Sequence, residues 1–226
     1  MNKKIITILM IISMIFLTYS AVLAHHPYNP GRHLASQHGP ITDVYCADAK
    51  ASSLSLSTIL TLIDEALNHP DGFEDGNEYN LQFANPTYAK EDCSDISSSN
   101  LEKISIRYYV SPEGCGGYSC IVNPRGGQTL VHDNGKGGTS TDWQYAVLKI
   151  RDASFTYSNT KKYIVNHETG HALGLLDGDR TCPGSIMHSA DYSCTGYPDV
   201  PTQLDKDTII EESDQIDYGE DGPRYP

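Results

Sequence analysis

The chain has 226 residues, of which 16 are Lys or Arg and 29 are Asp or Glu, giving a formal net charge of −13. Such an acidic chain lacks the basic surface that nucleic acid or anionic lipid would need. Its charge suits solubility and the attraction of cations or basic substrates.

The first residues address the chain to the outside. Lys3 and Lys4 precede an apolar run from Ile5 to Phe16, and Ala21-Val22-Leu23-Ala24 offers a cleavage site just before His25 and His26. That is the pattern of a signal peptide over residues 1–24. An uncleaved anchor is the alternative, because Ile5 to Ala24 is uncharged and about long enough to span a bilayer. Either way the rest of the chain is expected outside the cytoplasm, and secreted if the leader is cut. Cys46, Cys93, Cys115, Cys120, Cys182 and Cys194 make an even set, which reads as disulfides in an exported chain. Cys115/Cys120 and Cys182/Cys194 are close enough for local bridges, which leaves Cys46 with Cys93. No C-x-x-C pair is present to suggest zinc held by cysteine.

Residues 25–40, rich in Pro, His and Gly, read as a flexible arm. A strand is expected over Ile41–Tyr45. Ser55 or Ser57 can cap a helix running to about Asn68, with Ile59, Leu60, Ile63 and Leu67 at helical spacing. His69 to Glu78 is turn chemistry; its acids are a weak candidate for Ca²⁺, since their spacing does not match an EF-hand loop. Strands are expected at Tyr79–Phe83, Ile104–Val110 and Tyr145–Ile150, with a shorter one at Leu130–His132. Glycine-rich stretches at 114–117 and 135–138 read as loops. Without repeats or an interdomain linker, residues 41–219 read as one α+β domain, followed by an acidic tail over 220–226.

The run from Asn166 to Asp177, NHETGHALGLLD, carries the chemistry. Asn159 or Thr160 can cap a helix that continues to about Leu173. Residues four apart share a helix face, so His167 and His171 can converge on one metal ion. Glu168 lies about 100° further round the helix, displaced from the ligand position but placed to take a proton from a water beside the metal. Val165, Thr169 and Ala172 fall on the opposite side and are expected in the core. Gly174 is a helix stop in the left-handed region, after which Asp177 can return as third ligand. Three protein ligands and an open position are the pattern of a catalytic zinc. Asp179 is the alternative third ligand.

This run resembles the metzincin signature, in which H-E-x-x-H-x-x-G-x-x is followed by His or Asp. The Asp form is similar to the snapalysin group of small secreted proteases. Cys182-Pro183-Gly184-Ser185-Ile186-Met187 resembles the metzincin Met-turn, which implies that Met187 lies beneath the metal. Cys182 and Cys194, with Ser193 to Pro198, resemble the disulfide-closed loop that follows it in snapalysins. Gln203–Asp207 through Ile216–Gly219 resembles the matrixin C-terminal helix. The specific resemblance covers about residues 160–219.

It implies a twisted mixed sheet packed on an active-site helix, with a small C-terminal subdomain after the zinc motif. It also implies a substrate cleft, whose pocket after the scissile bond would be lined by the segment between Met187 and Pro201. The activity so implied is that of a secreted, monomeric metalloendopeptidase acting on protein or peptide, with one catalytic Zn²⁺ on His167, His171 and Asp177 and Glu168 as general base. The sequence departs from relatives in the wider family at Ser189, where astacin-like proteins place a Tyr; Tyr192 is the nearest substitute. His188 is expected in an exposed loop. Tyr45-Cys46-Ala47-Asp48 only faintly echoes the matrixin cysteine switch, so Cys46 is expected in a disulfide rather than on the metal. A catalytically silent, zinc-containing secreted binding protein is the alternative function, and the intact Glu168 argues against it.

Overall fold

The structure, a computed structural model, describes residues 42–68, 72–74, 82–117, 119–122, 131–133, 139–141, 145–156, 161–177, 185–187 and 200–216. In chain order the elements are β1 (Thr42–Asp48), α1 (Leu56–Leu67), β2 (Gln82–Ala84), a 3₁₀ turn (Thr87–Lys90), α2 (Ser98–Leu101), β3 (Ile106–Ser111), β4 (Cys120–Val122), β5 (Val131–Asp133), β6 (Thr139–Thr141), β7 (Ala146–Arg151), α3 (Asp152–Thr156), α4 (Lys161–Ala172) and α5 (Gln203–Ile216).

Five strands form one sheet in the order β2-β1-β3-β7-β4. The β2/β1, β1/β3 and β3/β7 pairs are parallel, and β4 lies antiparallel on β7. The β5 and β6 strands pair separately as an antiparallel ribbon. The architecture is therefore mixed, with helices packed on a largely parallel sheet, which agrees with the α+β class.

Alternation along the strands decides which face is the core. Ile106, Tyr108 and Val110 of β3 and Ala146, Leu148 and Ile150 of β7 are all buried on one face, while Lys149 and Arg151 point outward and are exposed. Both α1 and α4 pack on that buried face. Helix α1 follows the expected pattern: Ile59, Ile63, Ala66 and Leu67 are buried, as a surface helix with one apolar stripe requires. Ser55 is its N-cap, its hydroxyl accepting the Thr58 backbone N–H at 3.2 Å. Of the two capping serines read from sequence, the first is used.

The opposite face is covered differently. Cys46, Ala89, Cys93, Ile96 and Ile104 form a second small cluster around a Cys46–Cys93 disulfide. Its ends are 47 residues apart, so in the chain-entropy model the cross-link is worth about 4 kcal/mol. Cys115–Cys120 closes the short loop before β4. Both pairings match the expectation from sequence, whereas Cys182 and Cys194 lie outside the described residues. Asp152, buried at the start of α3, accepts Ser52 Oγ, Ser53 N and Ser53 Oγ at 2.8–2.9 Å. It thereby pins the loop before α1 to the end of β7.

The strands expected at Ile41–Tyr45, Ile104–Val110, Leu130–His132 and Tyr145–Ile150 are present with shifted ends; β1 runs on to Asp48. The Tyr79–Phe83 strand appears as Gln82–Ala84. Strands β4 and β6 were not expected, because three-residue strands beside glycine-rich loops leave too little period-2 pattern to read. The leader, the 25–40 arm, most of the acidic turn at 69–78 and the 220–226 tail lie outside the described residues.

Candidate metal centre

Helix α4 inverts the usual partition of side chains. From Val165 to Gly170 every residue is buried, including Asn166, His167, Glu168 and Thr169. Polar groups go inside only when partners or function hold them there. Thr169 is anchored on the core side: its hydroxyl donates to Val165 O at 2.6 Å, and Tyr108 OH lies 2.7 Å from its Oγ1. With the Thr hydrogen already used, Tyr108 is the donor. Burial raises the Tyr108 pKa well above that of a free phenol, so this bond between β3 and α4 persists at any physiological pH.

The helix ends as expected. Gly174 has φ 97°, a left-handed conformation that favours glycine. Gly174 N donates to His171 O at 3.1 Å and Leu175 N to Gly170 O at 2.9 Å, the paired bonds of a Schellman stop. The reversal does two things at once. It turns the Leu175 carbonyl onto His171 Nδ1 at 2.9 Å, and it brings Asp177 back over the helix.

His167, His171 and Asp177 converge, their candidate ligand atoms all lying within 4.8 Å of one another. Asp177 Oδ1 is 3.4 Å from His167 Nε2 and 3.5 Å from His171 Nε2. Those separations are long for hydrogen bonds. They match the edge of a tetrahedron, about 3.3 Å, that results when donors sit 2.0–2.1 Å from a zinc ion. The two rings meet edge to face, 4.9 Å between centroids.

The far nitrogens are committed as well. His167 Nδ1 lies 2.9 Å from the Ile186 carbonyl and His171 Nδ1 2.9 Å from that of Leu175. A carbonyl only accepts, so each Nδ1 carries the proton and each Nε2 keeps its lone pair for a metal. Tyr163 OH, 3.4 Å from His167 Nδ1, is a longer contact beside this bond. The donor set therefore fits a borderline ion such as zinc.

Without metal, burial alone would lower the His171 pKa, but Asp177 and the Leu175 carbonyl outweigh it and the net shift is upward. The Asp177 pKa is lowered, first by the neighbouring His171 and against the opposing effect of burial. The Asp177 side chain is 58% exposed while those of His167 and His171 are 11% and 17% exposed, so the site opens to solvent on the aspartate side.

Residues 185–187 form the floor. Met187 is fully buried against Gly170, where a Cβ would collide with its sulfur. That is why position 170, inside a helix, is glycine. Met187 thus packs against the helix that carries both histidines.

The helix expected from Gln203 is present as α5, but the residue on it that holds this floor was not singled out from sequence. Asp205, fully buried in the first turn of α5, accepts Ser185 Oγ, Ile186 N at 3.0 Å, Thr202 N at 2.7 Å and Thr202 Oγ1 at 2.8 Å. The Thr202-x-x-Asp205 spacing is a capping-box signal that could have marked the helix start. Nothing in the sequence tells that the same carboxylate reaches Ile186, whose carbonyl orients His167. Asp179, Cys182, His188, Ser189, Tyr192 and Cys194 lie outside the described residues. Compared with known proteins, the chain matches no protein-family model and has no significant match among curated proteins.

Proposed function

We propose that the chain is a secreted zinc metalloendopeptidase. The observation that carries this reading is the convergence of two largely buried, singly oriented imidazoles and one carboxylate beside a buried glutamate. In it, His167 and His171 would hold the ion through Nε2 and Asp177 through Oδ1. When bound, the ion supplies Lewis acidity toward a water and a substrate carbonyl.

Glu168, one residue after His167 and only 4% exposed, accepts the proton of the attacking water and passes it to the leaving amine. Its burial removes competing solvent from that transfer. With a carboxylate as third ligand the centre would carry one positive charge fewer than with a third neutral imidazole, and more of the proton removal would fall to Glu168. Strand β4, at the sheet edge and in contact with α4, offers backbone groups to which an extended polypeptide can add. This favours a peptide substrate over a small amide. The leader-like residues 1–24 and the two disulfides support export.

The test is hydrolysis of a labelled unfolded protein by the oxidatively folded chain, with and without a zinc chelator. Glu168→Gln is expected to keep the metal and lose about 10²- to 10⁴-fold in rate. A Glu168→Gln protein as active as the parent would remove Glu168 from its role, and activity indifferent to chelator would remove the metal.

A further inference from the structure

On the face of the sheet away from the metal centre, Arg107 is only 8% exposed. Its Nη2 donates to the Leu101 carbonyl at 2.8 Å and its guanidinium stacks 3.5 Å from the Tyr145 ring centroid. The Nε atom is buried without a hydrogen-bond partner. Among the described residues no carboxylate forms an ion pair with it. A cation so far out of water ordinarily has an anion beside it.

The outward positions around it carry charge of both signs. In the register, Tyr109 pairs with Lys149 and Arg107 with Val147. The outward positions of β3 and β7 thus present Arg107, Tyr109, Lys149 and Arg151 with Ser111 and Val147, while on β1 Asp48 lies opposite Tyr109 with its oxygens taken by Lys50 N and Ser94 N. Tyr109 and Tyr145 are half-buried, and Lys149 and Arg151 are exposed. Arg151 is partly engaged, its Nη1 donating to Gly117 O at 3.0 Å.

We propose that this outer face binds an oxyanion group, a carboxylate or a phosphate, on the Arg107 guanidinium, with Lys149 adding charge. The stack on Tyr145 and the bond to Leu101 fix the plane of the fork in advance, which suits two oxygens in one plane. Burial lowers the Arg107 pKa, so a bound anion restores stability to a charge held at a loss. The site is independent of the metal reading and stands or falls without it.

The experiment is thermal unfolding of the metal-loaded protein during titration with inorganic phosphate or acetate, at ionic strength held constant with chloride. The midpoint is expected to rise saturably, by about 5 °C at a hundredfold excess over Kd. Arg107→Met should abolish the rise, Arg107→Lys should reduce it, and Lys149→Ala should weaken binding several-fold without moving the anion-free midpoint. A response to phosphate alone assigns a phosphate ligand, and an equal response to acetate assigns a carboxylate. No saturable rise in the parent, or the same rise in Arg107→Met, overturns the proposal. If Arg107→Met does not fold, Arg107→Lys and Lys149→Ala decide: parental affinity in both overturns it.

Discussion

Helices α1 and α4 pack on the same face of the same sheet and have the same length of 12 residues, yet they are built on opposite plans. Helix α1 puts Ile59, Ile63, Ala66 and Leu67 inside and leaves Thr61, Asp64 and Glu65 to water. Helix α4 buries Asn166, His167, Glu168 and Thr169. One helix is inside because its side chains leave water readily. The other is held there by bonds from its neighbours: Tyr108 on the sheet, the Ile186 and Leu175 carbonyls, and the close approach of Met187 to Gly170. The difference separates residues that stabilise the domain from residues that the domain stabilises.

Substitutions should divide along that line. The largest effect on stability is expected from Ile63→Ala in α1, which removes fully buried methylenes and should cost about 3 kcal/mol. Zinc affinity of the molecules that remain folded should not change. Chemical denaturation together with a zinc titration reads both quantities, and a loss of affinity in the folded fraction would join the two helices' roles.

Next is Asp205→Asn. One amide oxygen cannot replace two carboxylate oxygens that receive four donors, and the expected loss is about 2 kcal/mol. Unlike Ile63→Ala, it should also weaken metal binding, because the Ile186 peptide that orients His167 is no longer fixed. Unchanged zinc affinity would show that this support is structural only.

Acid should separate the helices further. Metal binding needs His171 neutral, and its raised pKa in the metal-free protein lets protons compete from above the ordinary histidine value of about 6.5. Affinity should therefore begin to fall above pH 6.5 and approach tenfold per pH unit for that proton. In the metal-free protein the sign differs. The His171–Asp177 pair is fully stabilising between the unfolded pKa values of about 3.9 and 6.5; it weakens as pH rises through the His171 value or falls through the depressed Asp177 value. Affinity independent of pH between 5 and 8 would contradict the ligand set.

The smallest effect is expected from Glu168→Gln in the metal-free protein, a gain of about 1 kcal/mol as a buried charge is removed. A clear loss would mean that Glu168 supports the fold instead of being carried by it.

The same contrast explains what was legible in the sequence. Apolar spacing in α1 and alternation in β3 and β7 are local, so their positions could be read with small errors at the ends. The His167–Asp177 run was legible because helix geometry fixes the relation of positions 167, 168 and 171, and Gly174 announces the reversal that returns Asp177. Apart from the Cys46–Cys93 disulfide, left over once the nearer cysteines were paired, groups that act across long separations could not be read. Ile186 reaches His167 over 19 residues, Asp205 reaches Ile186 over a further 19, and Tyr108 meets Thr169 over 61. Arg107 falls at one more alternating position of the strand expected over Ile104–Val110, and only burial without a counter-ion among the described residues distinguishes it.

The most direct test of the metal centre is zinc stoichiometry after equilibrium dialysis, by elemental analysis of the folded parent, His171→Ala and Asp177→Ala. The account predicts one zinc per parent chain, none retained by His171→Ala, and weakened retention by Asp177→Ala, with all three folded as judged by their unfolding transitions. A folded parent that binds no zinc, or a His171→Ala protein that still holds one with parental affinity, would contradict it.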